Sequence, residues 1–259
     1  MPKLAANLTI LFGEVPFLER FKAAADAGFQ AVEYLFPYDY DRQVLRRQLG
    51  DHGLIQVLHN LPGGNWAAGE RGIACLPDRV DEFKAGVDKA IAYATTLECD
   101  RVNCLAGIPP PSVSVSAAGE TLTRNVEYAA SRLKDAGIKL LIEPINTRDI
   151  PGFFLNKTRQ ALDIIEATGS DNVFVQFDIY HMQIMEGNVA STIETHRRSI
   201  GHMQLADVPG RHEPGTGEID YPALFDLVDR VGYAGWIGCE YIPLAGTVNG
   251  LGWAKSYLK

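Results

Sequence analysis

The sequence contains no run of about 18 apolar residues, the length needed to cross a membrane as a helix, so no membrane partner is expected. Its N-terminus, MPKLAANLTILF, is too short and too weakly basic for a secretory signal and reads better as a first strand. Cysteine is scarce. The four present, Cys75, Cys99, Cys104 and Cys239, lack the paired spacing of a zinc site. Cys104 and Cys239 sit in apolar, strand-like runs, where small reduced core residues are expected, and the cytoplasm is the expected compartment. Positive charge is also in deficit, with 24 Lys and Arg against 32 Asp and Glu, a net charge of −8. Nucleic-acid binding favours a basic face, so this balance counts against a nucleic-acid partner. There is no low-complexity segment, no long charge run and no linker-like stretch. A single domain spanning residues 1–259 is therefore expected.

What is present is ordinary globular material, 46% hydrophobic and 22% charged. The length is close to the roughly 250 residues of a single (β/α)₈ barrel. Strand-like segments run over Lys3–Leu8, Ala31–Phe36, Ile55–Asn60, Arg101–Ala106, Lys139–Glu143, Val173–Asp178, Gly201–Leu205 and Trp236–Tyr241. Amphipathic stretches lie between them, over Pro16–Ala27, Asp78–Leu97, Gly119–Ala136, Thr158–Ala167, Val189–Arg198 and Tyr221–Val231. Gly28, Gly53, Gly137 and Gly232 follow expected helix ends, where the backbone turns left-handed. Alternation of this kind predicts parallel strands joined by right-handed crossovers, either closed or open. The first strand–helix turn has no GxGxxG, which weakens the open dinucleotide fold. Polar residues end many strands rather than one switch point. The predicted class is α/β, a single (β/α)₈ barrel with its site on the C-terminal face.

Four runs in the second half end on groups able to hold a cation: KLLIE at Glu143, VFVQFD at Asp178, HMQ at Gln204 and GWIGCE at Glu240. They are separated by 35, 26 and 36 residues, each enough for one helix and two loops. Three carboxylates close together repel one another unless a cation neutralises them, and charges buried unpaired are costly. An oxygen-only set suits Mg²⁺ or Mn²⁺ better than zinc or copper. The alternative is that each carboxylate caps a helix or pairs with an arginine.

Other candidates surround this set. His181, three residues after Asp178, is expected on the loop leaving the strand, where it could donate to a substrate oxygen. His59, at the end of the third strand, could do the same. His202 shares the parity of Gln204 and is expected inward, one layer down. Two long glycine-rich loops, Asn60–Pro77 and Ala206–Tyr221, are expected to cover the site. One carries Arg211, whose guanidinium could grip a carboxylate or a hydroxyl pair. The other carries Glu70 and Arg71 as further substrate-binding candidates. Trp66 and the run Tyr34, Phe36, Tyr38 and Tyr40 could wall the pocket or simply pack. Asn7, Glu33 and Asn103 are strand polar residues that this pattern gives no role.

Over essentially the whole chain the sequence resembles the hydroxypyruvate isomerase family of xylose-isomerase-like barrels. The resemblance is carried by ANL at Ala6–Leu8, FPYDY at Phe36–Tyr40, HNLP at His59–Pro62, AAGERG at Ala67–Gly72 and IEPIN at Ile142–Asn146. It continues with DIYHMQ at Asp178–Gln183, EPGTGEI at Glu213–Ile219 and GCEY at Gly238–Tyr241. It implies that Glu143 and Glu240 are the catalytic pair, and that Glu143, Asp178, Gln204 and Glu240 hold a divalent metal. Related ketose epimerases place a histidine where Gln204 stands, which leaves the metal's identity open. His181 and Arg211 match positions that hold substrate hydroxyls in those epimerases. The implied reaction interconverts hydroxypyruvate and 2-hydroxy-3-oxopropanoate through an enediolate. A 2-oxo-tetronate isomerase or a ketose 3-epimerase would use the same chemistry. The implied partner is a small 2-oxo acid or sugar-like substrate, and a homo-oligomer is compatible with the sequence. Two further classes are weighed against this: a phosphodiester-cleaving barrel, which needs several metals where the six histidines are scattered, and a non-catalytic sugar-acid-binding protein.

Overall fold

The computed structural model describes residues 1–258. Eight parallel strands close in sequential order: β1 (Lys3–Asn7), β2 (Ala31–Glu33), β3 (Ile55–Asn60), β4 (Arg101–Cys104), β5 (Lys139–Ile142), β6 (Val173–Asp178), β7 (Ile200–Leu205) and β8 (Trp236–Cys239). β8 pairs back onto β1, with Lys3 opposite Trp236 and Ala6 opposite Cys239. The expected closed barrel is present, and each strand lies within three residues of its predicted bounds.

The helices form the outer layer: α1 (Arg20–Asp26), α2 (Arg42–Asp51), α3 (Val80–Leu97), α4 (Val115–Asp135), α5 (Thr158–Thr168), α6 (Ile179–Met185), α7 (Val189–His196) and α8 (Tyr221–Arg230). Their buried residues recur at helical spacing. α3 buries Phe83, Val87, Ala90, Ala94 and Leu97, and α4 buries Leu122, Val126, Ala129 and Leu133. These stripes join the main core between helices and sheet. Side chains start several helices. Asp41 accepts from the N–H groups of Gln43 and Val44 at α2, and Ser114 from Ala117 at α4. All four cysteines are buried and free, as the apolar runs around two of them predicted. Among the described residues no helix is long and apolar enough to cross a membrane.

α6 is the main departure from expectation. It follows β6 without a gap, so His181 stands on a helix rather than a loop. Asp178 ends the strand and caps the helix, its Oδ1 accepting from the Tyr180 N–H at 2.8 Å. The strand and the short helix therefore hold Asp178 and His181 in one rigid unit.

Candidate active site

A cavity of about 500 Å³, counted to its open mouth, lies at the C-terminal end of the barrel. Its polar lining includes Glu33, Glu143, Gln176, His181, Arg211 and Glu240. Leu58, Leu105, Ile145, Ile150 and Trp66 supply apolar wall. Glu143 and Glu240 directly follow β5 and β8, Asp178 ends β6, and Gln204 sits one residue from the end of β7. Strand register sets Asp178 beside Gln204, and Gln204 beside Gly238. The four predicted strand-end groups are thus gathered at one rim, and all four are buried.

Each is held by a specific partner. Glu143 accepts from the Asn103 amide at 2.8 Å, and that amide also reaches Asn60 Oδ1 at 3.2 Å. Glu240 Oε2 lies 3.1 Å from an Arg211 Nη2, which is also 3.7 Å from Asp178 Oδ2. Gln204 donates to Glu33 at 2.8 Å, and its oxygen accepts from Gln176 at 2.7 Å. Glu33 also accepts from Asn7 at 2.9 Å and faces His202 Nε2 at 2.6 Å. Its carboxylate lies so close over Gly238 that a Cβ there would collide with it. Asn7, Glu33 and Asn103, which the sequence left without roles, are the groups that orient the rim.

The electrostatics follow from burial. Desolvation, with Glu240 and Asp178 nearby, holds the Glu143 carboxyl well above its ordinary range. Desolvation pushes Glu240 up to about 8, with the Arg211 charge opposing it. Asp178 is raised by the same burial, against Arg211. His181 is pushed well below its ordinary value by desolvation and then by Arg211. In the metal-free protein several carboxyl groups therefore compete for too little positive charge.

Both uses weighed for these carboxylates occur, since Asp178 caps a helix and Glu240 pairs with an arginine. Neither use exhausts them. Asp178 Oδ2 is buried without a hydrogen-bond partner. Glu143, Asp178 and His181 offer ligand atoms that all lie within 4.8 Å of one another. A buried carboxylate oxygen without a hydrogen bond, inside a crowded acidic rim, fits a hard divalent cation.

Arg211 reaches the rim because its loop is stapled. Buried Asp207 accepts from the N–H groups of Val208, Gly215, Gly217 and Ile219 at 2.9–3.1 Å. Arg211 itself has φ of 57°, a left-handed conformation that costs a non-glycine residue roughly 1–2 kcal/mol. Its carbonyl accepts from the Ile242 N–H at 2.7 Å, tying this loop to the one after β8. The sequence offered Arg211 as a candidate but gave no sign of the Asp207 staple.

Three other candidates lie off the cavity. His59 faces the helix layer, where the α3 backbone at Ala90 and the Gln56 amide contact it, and burial lowers its pKa to about 4. Its neighbours Leu58 and Asn60 line the cavity instead. Glu70 pairs with Arg79 at 2.8 Å and accepts from the Asn65 N–H. Arg71 stacks over the Trp66 ring at 4.2 Å and bonds two carbonyls of its own loop. These two residues shape the loop that delivers Trp66.

Comparison with known proteins agrees with this fold. The family model described as xylose isomerase-like TIM barrel matches residues 21–257. The hydroxypyruvate isomerase of Escherichia coli K12 is 51% identical over 257 residues, covering 99% of this chain and 100% of the relative. The 2-oxo-tetronate isomerase of Cupriavidus necator is 48% identical, covering 100% and 99%. A crystal structure from Brucella melitensis, named as an AP endonuclease of family 2, superposes with a TM-score of 0.98 at 47% identity, covering both chains fully. The chain is a member of the hydroxypyruvate isomerase family of xylose isomerase-like TIM barrels, an isomerase of the intramolecular oxidoreductase type.

Proposed function

We propose that the chain interconverts a short 2-oxo acid and its 2-hydroxy-3-oxo isomer, with hydroxypyruvate and 2-hydroxy-3-oxopropanoate as the leading pair. One observation carries the reading: two buried carboxyls, Glu143 and Glu240, line one small cavity whose only described Lys or Arg is Arg211. A carboxylate so placed can take a carbon-bound proton, and the acid it becomes can return one. A guanidinium can hold the acid end of the substrate.

In this reading one glutamate removes a proton from the hydroxyl-bearing carbon, and the same or the other glutamate returns a proton to the adjacent carbon, which had carried the carbonyl. To complete the balance, the hydroxyl proton passes from the first carbon's oxygen, which becomes the new carbonyl, to the former carbonyl oxygen, which becomes the new hydroxyl. His181 steadies a substrate oxygen, and Arg211 grips the substrate carboxylate. Trp66 and the leucine and isoleucine walls keep bulk water from the reacting carbons. Glu143, Asp178, Gln204 and Glu240 would hold the divalent cation, Mg²⁺ or Mn²⁺ by the hardness of the donors. When bound it would polarise the carbonyl and stabilise the enediolate as a Lewis acid.

The relatives named for 2-oxo-tetronate support a four-carbon acid as the alternative substrate. The name of the Brucella melitensis structure raises phosphodiester cleavage instead. Sites for that chemistry commonly clamp two metals. Among the described residues one cluster of His, Cys, Asp and Glu has ligand spacing, which weighs against it.

The reading is tested with a panel of short 2-oxo acids and free ketoses, assayed after chelation and again after adding back Mn²⁺ or Mg²⁺. Turnover of the acids that disappears on chelation and returns with the metal is expected. Full activity in metal-free protein would refute the ligand assignment, and turnover of ketoses alone would refute the substrate class.

A further inference from the structure

His181 can play either of two parts, and its environment discriminates between them. Its ring is buried and lines the cavity, with Nε2 3.5 Å from Asp178 Oδ2, an oxygen that no hydrogen bond satisfies. That position suits a metal ligand, which needs a lone pair on Nε2. It equally suits a hydrogen-bond donor, which needs a proton there. The choice is made at the other ring nitrogen.

Nδ1 lies 2.7 Å from the side-chain amide of Asn146, a residue with no exposed surface. The orientation of that amide is fixed by its oxygen. Asn146 Oδ1 accepts from the N–H groups of Arg148 at 3.0 Å and Asp149 at 2.8 Å, closing a turn after β5. Reversing the amide would set its NH₂ against two backbone donors. The NH₂ must therefore face His181. Its two hydrogens have two acceptors, Nδ1 and the Asp149 carboxylate at 3.0 Å. Asp149 is held in turn by the Tyr180 hydroxyl at 2.9 Å, from the same helix that carries His181.

An amide NH₂ donates and cannot accept. Nδ1 must then present its lone pair, and the neutral ring carries its proton on Nε2. Metal-bound histidines show the opposite polarity, donating from the second nitrogen to a carboxylate or carbonyl. Were His181 a ligand through Nε2, the Nδ1–H would confront the Asn146 NH₂, two donors 2.7 Å apart.

We propose that Asn146 is a positioning residue that fixes His181 in its Nε2–H form, as a donor to a substrate oxygen and not a member of the metal's ligand set. The destination of that hydrogen bond rests on the isomerase reading, but the tautomer does not, because it exists in the protein without substrate.

The experiment is long-range ¹H–¹⁵N correlation spectroscopy on full-length, metal-free protein with ¹⁵N-labelled histidine, His181 being assigned by its loss in His181→Gln. The expected signature is a neutral ring protonated at Nε2, unchanged when Mg²⁺ is added. A proton on Nδ1, or an Nε2 resonance that shifts to a coordinated value with the metal, would overturn the proposal whatever the enzyme's substrate proves to be. Asn146→Asp keeps the acceptor for the turn but offers Nδ1 an acceptor in place of a donor. The proton is then expected to move to Nδ1, and kcat to fall roughly 10- to 100-fold, the worth of one such hydrogen bond, with KM little changed. An unmoved tautomer with unchanged kcat would overturn the positioning role. Should the new carboxylate repel Asp149 and unfold the chain, N146D/D149N restores a donor between them and gives the same readout.

Discussion

A Glu240→Gln variant is expected to lose turnover by about 10²–10⁴-fold, the usual worth of a positioned general acid or base. The same variant is expected to be more stable than the parent in metal-free buffer. Glu240 is buried, and its carboxyl rises from 4.5 to about 8 in the folded chain. Between those values the folded chain holds a proton that the unfolded chain releases. Stability from this group is complete below about pH 4.5 and is lost as pH rises through about 8. Glutamine has no proton to lose and escapes this decline. The variant should therefore gain on the parent as pH rises toward 8, by at least about 1 kcal/mol or roughly 2–4 °C in Tm. Arg211 would lose its 3.1 Å partner but keep Asp178 at 3.7 Å, so it is not stranded. A divalent cation should reverse the order, because it rescues the carboxylate that the variant lacks. Thermal unfolding at several pH values, with and without Mn²⁺, checks each part. A variant less stable than the parent at pH 8 without metal would contradict the electrostatics.

Arg211→Met is expected to raise KM for 2-oxo acids by about 10–100-fold, from loss of one charge-assisted contact. The effect on a free ketose should be much smaller, since a ketose has no carboxylate to hold. The substitution should also tighten divalent-cation binding, because it removes a positive charge from beside Asp178 and Glu240. These opposite movements separate electrostatics from collapse of the Asp207-stapled loop, which would weaken both. Kinetics on an acid and a ketose, with metal titration by calorimetry, provide the check. Equal KM changes on both substrates would contradict the assignment of Arg211 to the carboxylate.

Much of the barrel was legible because its signals are local. Each strand is a short apolar run, each long helix carries a 3.6-residue stripe, and glycines mark several helix ends. The four rim groups were legible because strand ends converge in any closed parallel barrel. α6 was not, because Ile179, Tyr180 and His181 follow the strand with no glycine or proline between, and Asp178 serves as both strand end and helix cap. Parity decided His59. Adjacent residues point to opposite faces, and a register shift between Val32 and Glu33 against β3 sets which face is which. No single sequence displays such a shift. Glu33 was missed because its partners come from β1 and β7, with His202 169 residues away. The AsnThrArgAsp turn at Asn146 carried a local signal, an Asx turn, whose value emerges only when α6 brings His181 against it.

The most direct measurement follows carbon-bound hydrogen by ¹H NMR during incubation of hydroxypyruvate with metal-loaded enzyme in D₂O. Isomerisation by proton transfer through the buried carboxyls predicts loss of the C3 proton signal and appearance of 2-hydroxy-3-oxopropanoate carrying deuterium at C2. A product formed with its C2 hydrogen wholly retained from substrate, at a rate that Glu240→Gln and Glu143→Gln leave unchanged, would mean direct hydride migration. That result, or no change in the substrate signal with any short 2-oxo acid, would contradict the assignment of Glu143 and Glu240 as the groups that move the proton.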